Sequence, residues 1–308
     1  MRRALSQGVT APRRIIPGTT YLVTRRCSER RNFLKPTEMV SQIFLYVLAL
    51  AARRFHVDVH AFCVLSNHYH LVVTDREARL PAFVQYLDSL VARATNAWLG
   101  RWEGFWASGS SYSAVTNEAT SDVVRKIAYT LANPVAAGLV ASGSDWPGLR
   151  SSPAQLASAV TFRAPRPKVF FRPKASMPDV VELSLALPPG FDGSQEFRDA
   201  VSAETHALEE RARREVAKEG RSFLGRARIL AQDPNARPTS REPRRKLNPR
   251  VAAIDTWRRL EALSRTAAFL TDYRCALQKL RAGVRDAVFP AGTYLLRVQL
   301  GVRCATFA

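Results

Sequence analysis

The stretch VDVHAFCVLSNHYHLVVT, residues 57–74, decides the fold. It is apolar and rich in β-branched residues, and Ser66-Asn67 breaks it once, so it reads as two strands, 57–65 and 68–74, joined by a turn. Side chains two apart on a strand share a face. His68 and His70 therefore present two imidazoles together, and neutral imidazoles in pairs can hold a divalent metal. Two polar residues closing a turn have the same spacing, so the pattern alone leaves both readings open.

Working outward from this hairpin, residues 19–25 read as a first strand after the Pro17-Gly18 turn signal. Pro36-Thr37-Glu38 opens a Leu- and Ala-rich helix that ends near Phe55. A second helix is expected over 80–99 with Pro81 in its first turn, and a short fourth strand over 110–116. A third helix is expected from an N-cap at Ser121, with Asp122 suited to the dipole, to Asn133 ahead of Pro134. This order predicts an α+β fold: a ferredoxin-like split βαβ antiparallel sheet with an extra C-terminal helix that carries Tyr129.

The 308 residues divide into a basic N-terminal tail (1–16), this α+β unit (17–152), a Pro-rich connector (153–195) and a basic, mainly helical C-terminal region (196–308). The connector holds a half-buried strand pattern at Val181, Leu183, Leu185 and Leu187. The C-terminal region is expected to contain a charged helix over 194–219, a Pro- and Arg-rich loop over 233–250, a helix or helix pair over 252–281 and a last strand over 293–298. The loop's basic residues predict added non-specific DNA affinity.

A net charge of +20 favours a polyanionic partner, nucleic acid before an anionic membrane surface. The excess is shared by both halves of the chain, so it is not a detachable tail. Four scattered cysteines without a Cys-x-x-Cys pair argue against a structural zinc site and a disulfide scaffold. No apolar run is long enough to cross a bilayer and the first twenty residues lack an apolar signal core, which predicts a cytoplasmic protein with no membrane partner.

Along the third helix, Val124, Ile127, Ala128 and Leu131 form a core-facing stripe at i, i+3, i+4 and i+7. Tyr129 falls off that stripe and shares another face with Arg125 and Asn133, one turn before and after it. Such a face suits chemistry on a phosphate, and it equally suits a solvated helix surface with a tyrosine at its edge. Arg101, Trp102 and Trp106, before the fourth strand, could pair with phosphates and stack on bases, or close a helix end on the core.

Asn67-His68-Tyr69-His70-Leu71, followed by Tyr129-Thr130-Leu131-Ala132-Asn133-Pro134-Val135-Ala136-Ala137-Gly138-Leu139-Val140, resembles the HUH single-tyrosine transposases, and among them the REP-associated tyrosine transposases. The resemblance runs over about residues 17–152, including Trp146-Pro147 and Ser151-Ser152. It implies Tyr129 as the nucleophile, and Mg²⁺ or Mn²⁺ held by His68, His70 and Asn133. It also implies a 5′-phosphotyrosine intermediate and single-stranded or hairpin DNA as substrate; the sequence leaves a monomer and a homodimer both open. Two departures stand out: Leu131 lies where relatives often carry His, and residues 107–113 lack a basic residue before Tyr112. Competing readings are a domesticated protein that binds DNA or RNA hairpins without cutting, an RNA-recognition module, and a zinc hydrolase drawing a carboxylate from Asp58 or Asp75.

Overall fold

The computed structural model describes residues 11–108, 112–174, 176–239 and 250–306. Four strands build the sheet around the hairpin: β1 (Thr19–Arg26), β2 (Val57–Leu65), β3 (His68–Asp75) and β4 (Ser113–Asn117). Helices α1 (Glu38–Phe55) and α2 (Leu80–Leu99) make the connections, and α3 (Thr120–Ala136) follows β4. The order across the sheet is β2-β3-β1-β4, all neighbours antiparallel. A fifth strand, β7 (Val251–Ala252), adds in parallel beside β4, so the sheet is mixed.

The alternation of β3 decides what lies on each face. Tyr69 points toward α1 and α2: its ring meets Phe44 edge-on and its hydroxyl donates to Asp88. His70 points the other way and meets Tyr129 of α3. The core between the sheet and α1/α2 includes Val23, Leu71, Val73, Ile43, Phe44, Val47, Phe83 and Leu87, all buried. Thr37 caps α1 by accepting from the Val40 N–H, and the buried Asp75 carboxylate accepts from the Arg79 and Leu80 N–H groups at the start of α2.

Three sequence expectations for the elements need correction. α3 does not stop at Asn133; it runs through Pro134 to Ala136. Proline forfeits one backbone bond there, and this close to a helix end the loss is small. Ala137, Gly138 and Leu139 N–H groups donate back to Asn133, Val135 and Pro134 carbonyls, with Gly138 in the left-handed region (φ 69°) closing the helix. Its N-cap is Ala119, not Ser121, and Asp122 is buried, accepting from the Ile254 N–H. Finally, the expected last strand over 293–298 is a helix, α7 (Leu295–Leu300). It lies by α6 (Thr256–Arg281), where Leu296 joins Phe269, Tyr273 and Phe289 in a small apolar cluster. A helix supplies its own backbone partners, which a lone strand there would lack.

The connector is ordered. β5 (Thr161–Pro165) and β6 (Val180–Ser184) form an antiparallel pair over α1, and the Ala186 N–H donates to the Val59 carbonyl beyond it. α4 (Ser194–Lys218) lies along α3, and α5 (Arg226–Leu230) follows it. Residues 11–16 pack on the body through buried Ile15 and through Arg13, which stacks on the Tyr112 ring. Residues 1–10 of the basic tail, and 240–249 of the basic loop, lie outside the described residues.

Packing of α4 fixes the height of α3. Its buried residues Phe197, Val201, Thr205, Glu209, Ala212 and Val216 repeat every three or four positions. Glu209 accepts from the Gly143 N–H and lies 3.8 Å from Arg150 and 3.6 Å from Arg213. Arg150 in turn donates to the Leu131 carbonyl in the middle of α3. Glu209→Ala strands the Arg150 charge, so a loss of about 3 kcal/mol is expected. Chemical denaturation checks it, and a change under about 0.5 kcal/mol would show that the pair is not structural.

Candidate active site

The sheet face that carries His68 and His70 meets the side of α3 that carries Tyr129 and Asn133. The two imidazole centroids are 4.9 Å apart, and the His70 and Tyr129 ring centroids are 5.3 Å apart, both pairs edge to face. The Asn133 side chain hydrogen-bonds the His68 ring. Residues 59 or more positions apart in sequence are thus joined because α3 packs on the sheet face to which β3 points His70. His70 and Asn133 are buried, whereas Tyr129 is 41% exposed.

Neighbours that the sequence did not single out orient both imidazoles. Asn67 Nδ2 donates to the Arg30 carbonyl, which turns Asn67 Oδ1 toward His68 Nδ1 at 2.6 Å. An amide oxygen only accepts, so His68 Nδ1 carries the proton and Nε2 keeps its lone pair. His70 Nδ1 lies 2.9 Å from the Thr24 hydroxyl, while its Nε2 is buried with no hydrogen-bond partner. Thr24 faces His70 because β1 and β3 pair in that register. Asn67 could have been flagged as the residue preceding the pair; Thr24 carries no signal of its own.

Burial holds both rings neutral. His68 is lowered to about 4, first by desolvation and then by the Arg26 charge, while its hydrogen bond with the Asn133 side chain acts in the opposite sense. His70 is lowered well below the usual imidazole range by desolvation, then by His68 and Arg26. A buried nitrogen lacking a partner, on a ring held neutral, suits a cation-binding ligand and is what an idle polar side chain avoids. Two imidazoles and an amide therefore fit a divalent ion. Among the described residues no group of three or more His, Cys, Asp or Glu comes together. The side chain beside the two imidazoles is Asn133, a neutral oxygen donor.

The other expected contacts are dispersed. Arg125 lies on exposed α3 surface, 3.6 Å from Glu204 of α4. Arg101 lies over the Phe33 ring and donates to Asn235. Trp102 is 89% exposed, whereas Trp106 packs on Tyr69 and Phe105 and donates to the Asp88 carbonyl, on the sheet face opposite the histidines. Val124, expected in the core stripe, is only half-buried, and its neighbour Val123 is buried instead. Asp58 pairs with Arg76, and Asp75 holds the start of α2, so neither carboxylate joins His68 and His70.

No family model matches the chain, and no curated protein matches it. Among solved structures it is similar to a REP-associated tyrosine transposase bound to a REP hairpin, with 21% identity over 46% of this chain and 81% of that one and a TM-score of 0.39. It is also similar to a protein described as a candidate transposase from Deinococcus radiodurans, with 19% identity over 36% of this chain and 83% of that one and a TM-score of 0.27. Among the described residues no helix is long and apolar enough to cross a membrane.

Proposed function

We propose that this chain is a tyrosine transposase that cuts and rejoins single-stranded, hairpin-forming DNA through Tyr129. The observation that carries the reading is the meeting of Tyr129 with His70, whose second nitrogen is buried and unpartnered. The motif resemblance and the net charge of +20 support DNA as the substrate. The order β2-β3-β1-β4, with each neighbour antiparallel, supports a ferredoxin-like split βαβ unit as the scaffold.

The chain's own residues have separate tasks in this scheme. Tyr129 is exposed enough for a strand to reach it and for solvent to take the phenolic proton. Its oxygen attacks phosphorus, a new P–O bond forms to tyrosine, and the bond to the 3′ oxygen breaks; that oxygen takes a proton from solvent. The strand's 5′ end stays on Tyr129, and a later 3′-hydroxyl reverses the step. The energy of the broken phosphodiester is kept in the new one, so no nucleoside triphosphate is needed. His68, His70 and Asn133 would hold Mg²⁺ or Mn²⁺, with Thr24 and Asn67 keeping the rings in register. When bound, the ion supplies positive charge against the scissile phosphate and fixes its orientation.

The test is a denaturing gel of the protein with a labelled hairpin oligonucleotide and Mn²⁺. A covalent adduct with a released 3′-hydroxyl strand is expected. Hairpin binding without any adduct would overturn cleavage and favour the non-cutting alternative.

The low imidazole pKa values have a consequence at equilibrium. An ordinary imidazole, with a pKa near 6.5, gains a proton as pH falls from about 7.5 to 5.5 and loses its metal. His68 resists until about 4, and His70 lies below the ordinary range as well. Mn²⁺ affinity is therefore expected to change less than about twofold over that window. Electron paramagnetic resonance of free Mn²⁺ measures it, and a loss following a midpoint near 6.5 would contradict this environment.

A further inference from the structure

A cavity of about 700 Å³ lies at the other end of β1, lined by residues on both sides of Thr19–Tyr21. Five arginines line it: Arg13 and Arg14 ahead of β1, Arg250 ahead of β7, and Arg258 and Arg265 on α6. Glu118 is the one carboxylate among the lining residues, and Arg265 already occupies it. The start of α3 also lines the cavity, and its N-cap Ala119 offers no side chain to the first-turn N–H groups. We propose that this cavity binds a nucleotide through its phosphate, at a site separate from Tyr129.

Each part of the lining narrows the chemistry. Arg250 donates to the Pro12 and Ala11 carbonyls, neutral partners, and among the described residues no carboxylate pairs with it. Burial and the nearby Arg13 charge both disfavour the charged form of Arg250, so an anion placed there removes a repulsion. Guanidinium forks and a helix N-terminus whose cap residue supplies no side-chain acceptor together suit phosphate oxygens. Phosphate alone would leave two features unused. The volume is in the range of sites for drug-sized molecules, well above a single inorganic anion. Asn117 also lines the cavity: its Nδ2 donates to the Thr20 carbonyl, and its Oδ1 is buried without a partner. Oδ1 is closed off from the cavity as the side chain stands, so a base amino group or a sugar hydroxyl would supply the missing donor once the Asn117 amide turns outward.

Thr20, in the middle of the strand residues that line the cavity, lies about 13 Å along β1 from Thr24, which orients His70, taking roughly 3.3 Å per strand residue. The cavity's ligand is therefore not the phosphate that meets Tyr129. The source of the nucleotide is either a free mononucleotide or a nucleotide within a bound strand. The inference does not depend on strand cleavage, because failure to form an adduct leaves this binding unchanged.

The test is an equilibrium titration of the full chain with a deoxynucleoside 5′-monophosphate, the matching nucleoside, inorganic phosphate and a short single-stranded oligonucleotide. The monophosphate is expected to saturate one site and the nucleoside to bind about tenfold more weakly. Arg14→Glu and Arg258→Glu should each weaken the monophosphate about tenfold, while the charge-matched Arg228→Glu on α5 changes it less than about twofold. Asn117→Ala should weaken the monophosphate and leave inorganic phosphate unchanged. Saturation by the oligonucleotide alone, with the same arginine dependence, also supports the site and names the strand as its source. Equal affinity for nucleoside and nucleotide, equal loss in Arg228→Glu, or no saturable binding of either probe would overturn it.

Discussion

Tyr129→Phe is expected to abolish both strand cleavage and the covalent protein–DNA adduct, a loss of roughly three orders of magnitude or more in rate. The substitution removes one oxygen and keeps the ring. The edge-to-face contact with His70, centroid to centroid 5.3 Å, therefore survives. The residue is 41% exposed, so the fold should change by less than about 0.5 kcal/mol. α3 stays seated through Ile127, Leu131 and Val135, which are fully buried and untouched. Hairpin affinity should also persist, because most of it comes from phosphate contacts elsewhere. Tyr112 is the nearest rival in sequence, but it is buried beneath Arg13 and cannot reach a strand without unfolding that contact. Mass spectrometry of the trapped adduct decides between them. A phosphotyrosyl linkage at Tyr112, or full cleavage by the Tyr129→Phe protein, would reject the assignment.

The pieces of this site were legible in the sequence to different degrees. The β2–β3 hairpin could be read because its apolar run has one break, and because strand alternation alone puts His68 beside His70. That Tyr129 lies off the core stripe followed from helix geometry. Its approach to His70 did not, since it depends on which face of the sheet α3 covers, and neither periodicity contains that information. Thr24 was invisible for a related reason: its role comes from the β1–β3 register, which pairs Thr24 with His70. Two-residue β7 has no pattern to detect, and α4 read only as a charged helix, with nothing in it to show that α3 was its partner. Trp106 illustrates the opposite difficulty. Its spacing near basic residues suited a stacking platform, yet its indole is spent on Tyr69, Phe105 and the Asp88 carbonyl. Local sequence reports which residues can share a face; the packing of layers decides which faces meet.

His68→Ala and His70→Ala should each reduce cleavage to background while leaving hairpin binding within about threefold of the native protein. Each ring contributes a neutral nitrogen, on buried His70 and half-buried His68, and neither substitution adds a charge. The two variants differ in what they leave behind. His70→Ala removes a ring in contact with His68 and Tyr129 and leaves the Thr24 hydroxyl without its partner. His68→Ala frees Asn67 Oδ1 and the Asn133 amide. A cavity cost of about 1–3 kcal/mol is expected in either case, so melting must be checked before activity is interpreted. Asn133→Ala should be milder and partly restored by raised Mn²⁺, because a neutral amide oxygen is the weakest of the three ligands. Metal affinity separates this account from one in which the histidines only pack. Both His variants should lose saturable Mn²⁺ binding in the absence of DNA, where no catalytic step contributes to the signal. Native Mn²⁺ affinity in a folded His70→Ala protein, or undiminished cleavage by the native chain in excess chelator, would leave the pair a structural feature of the sheet.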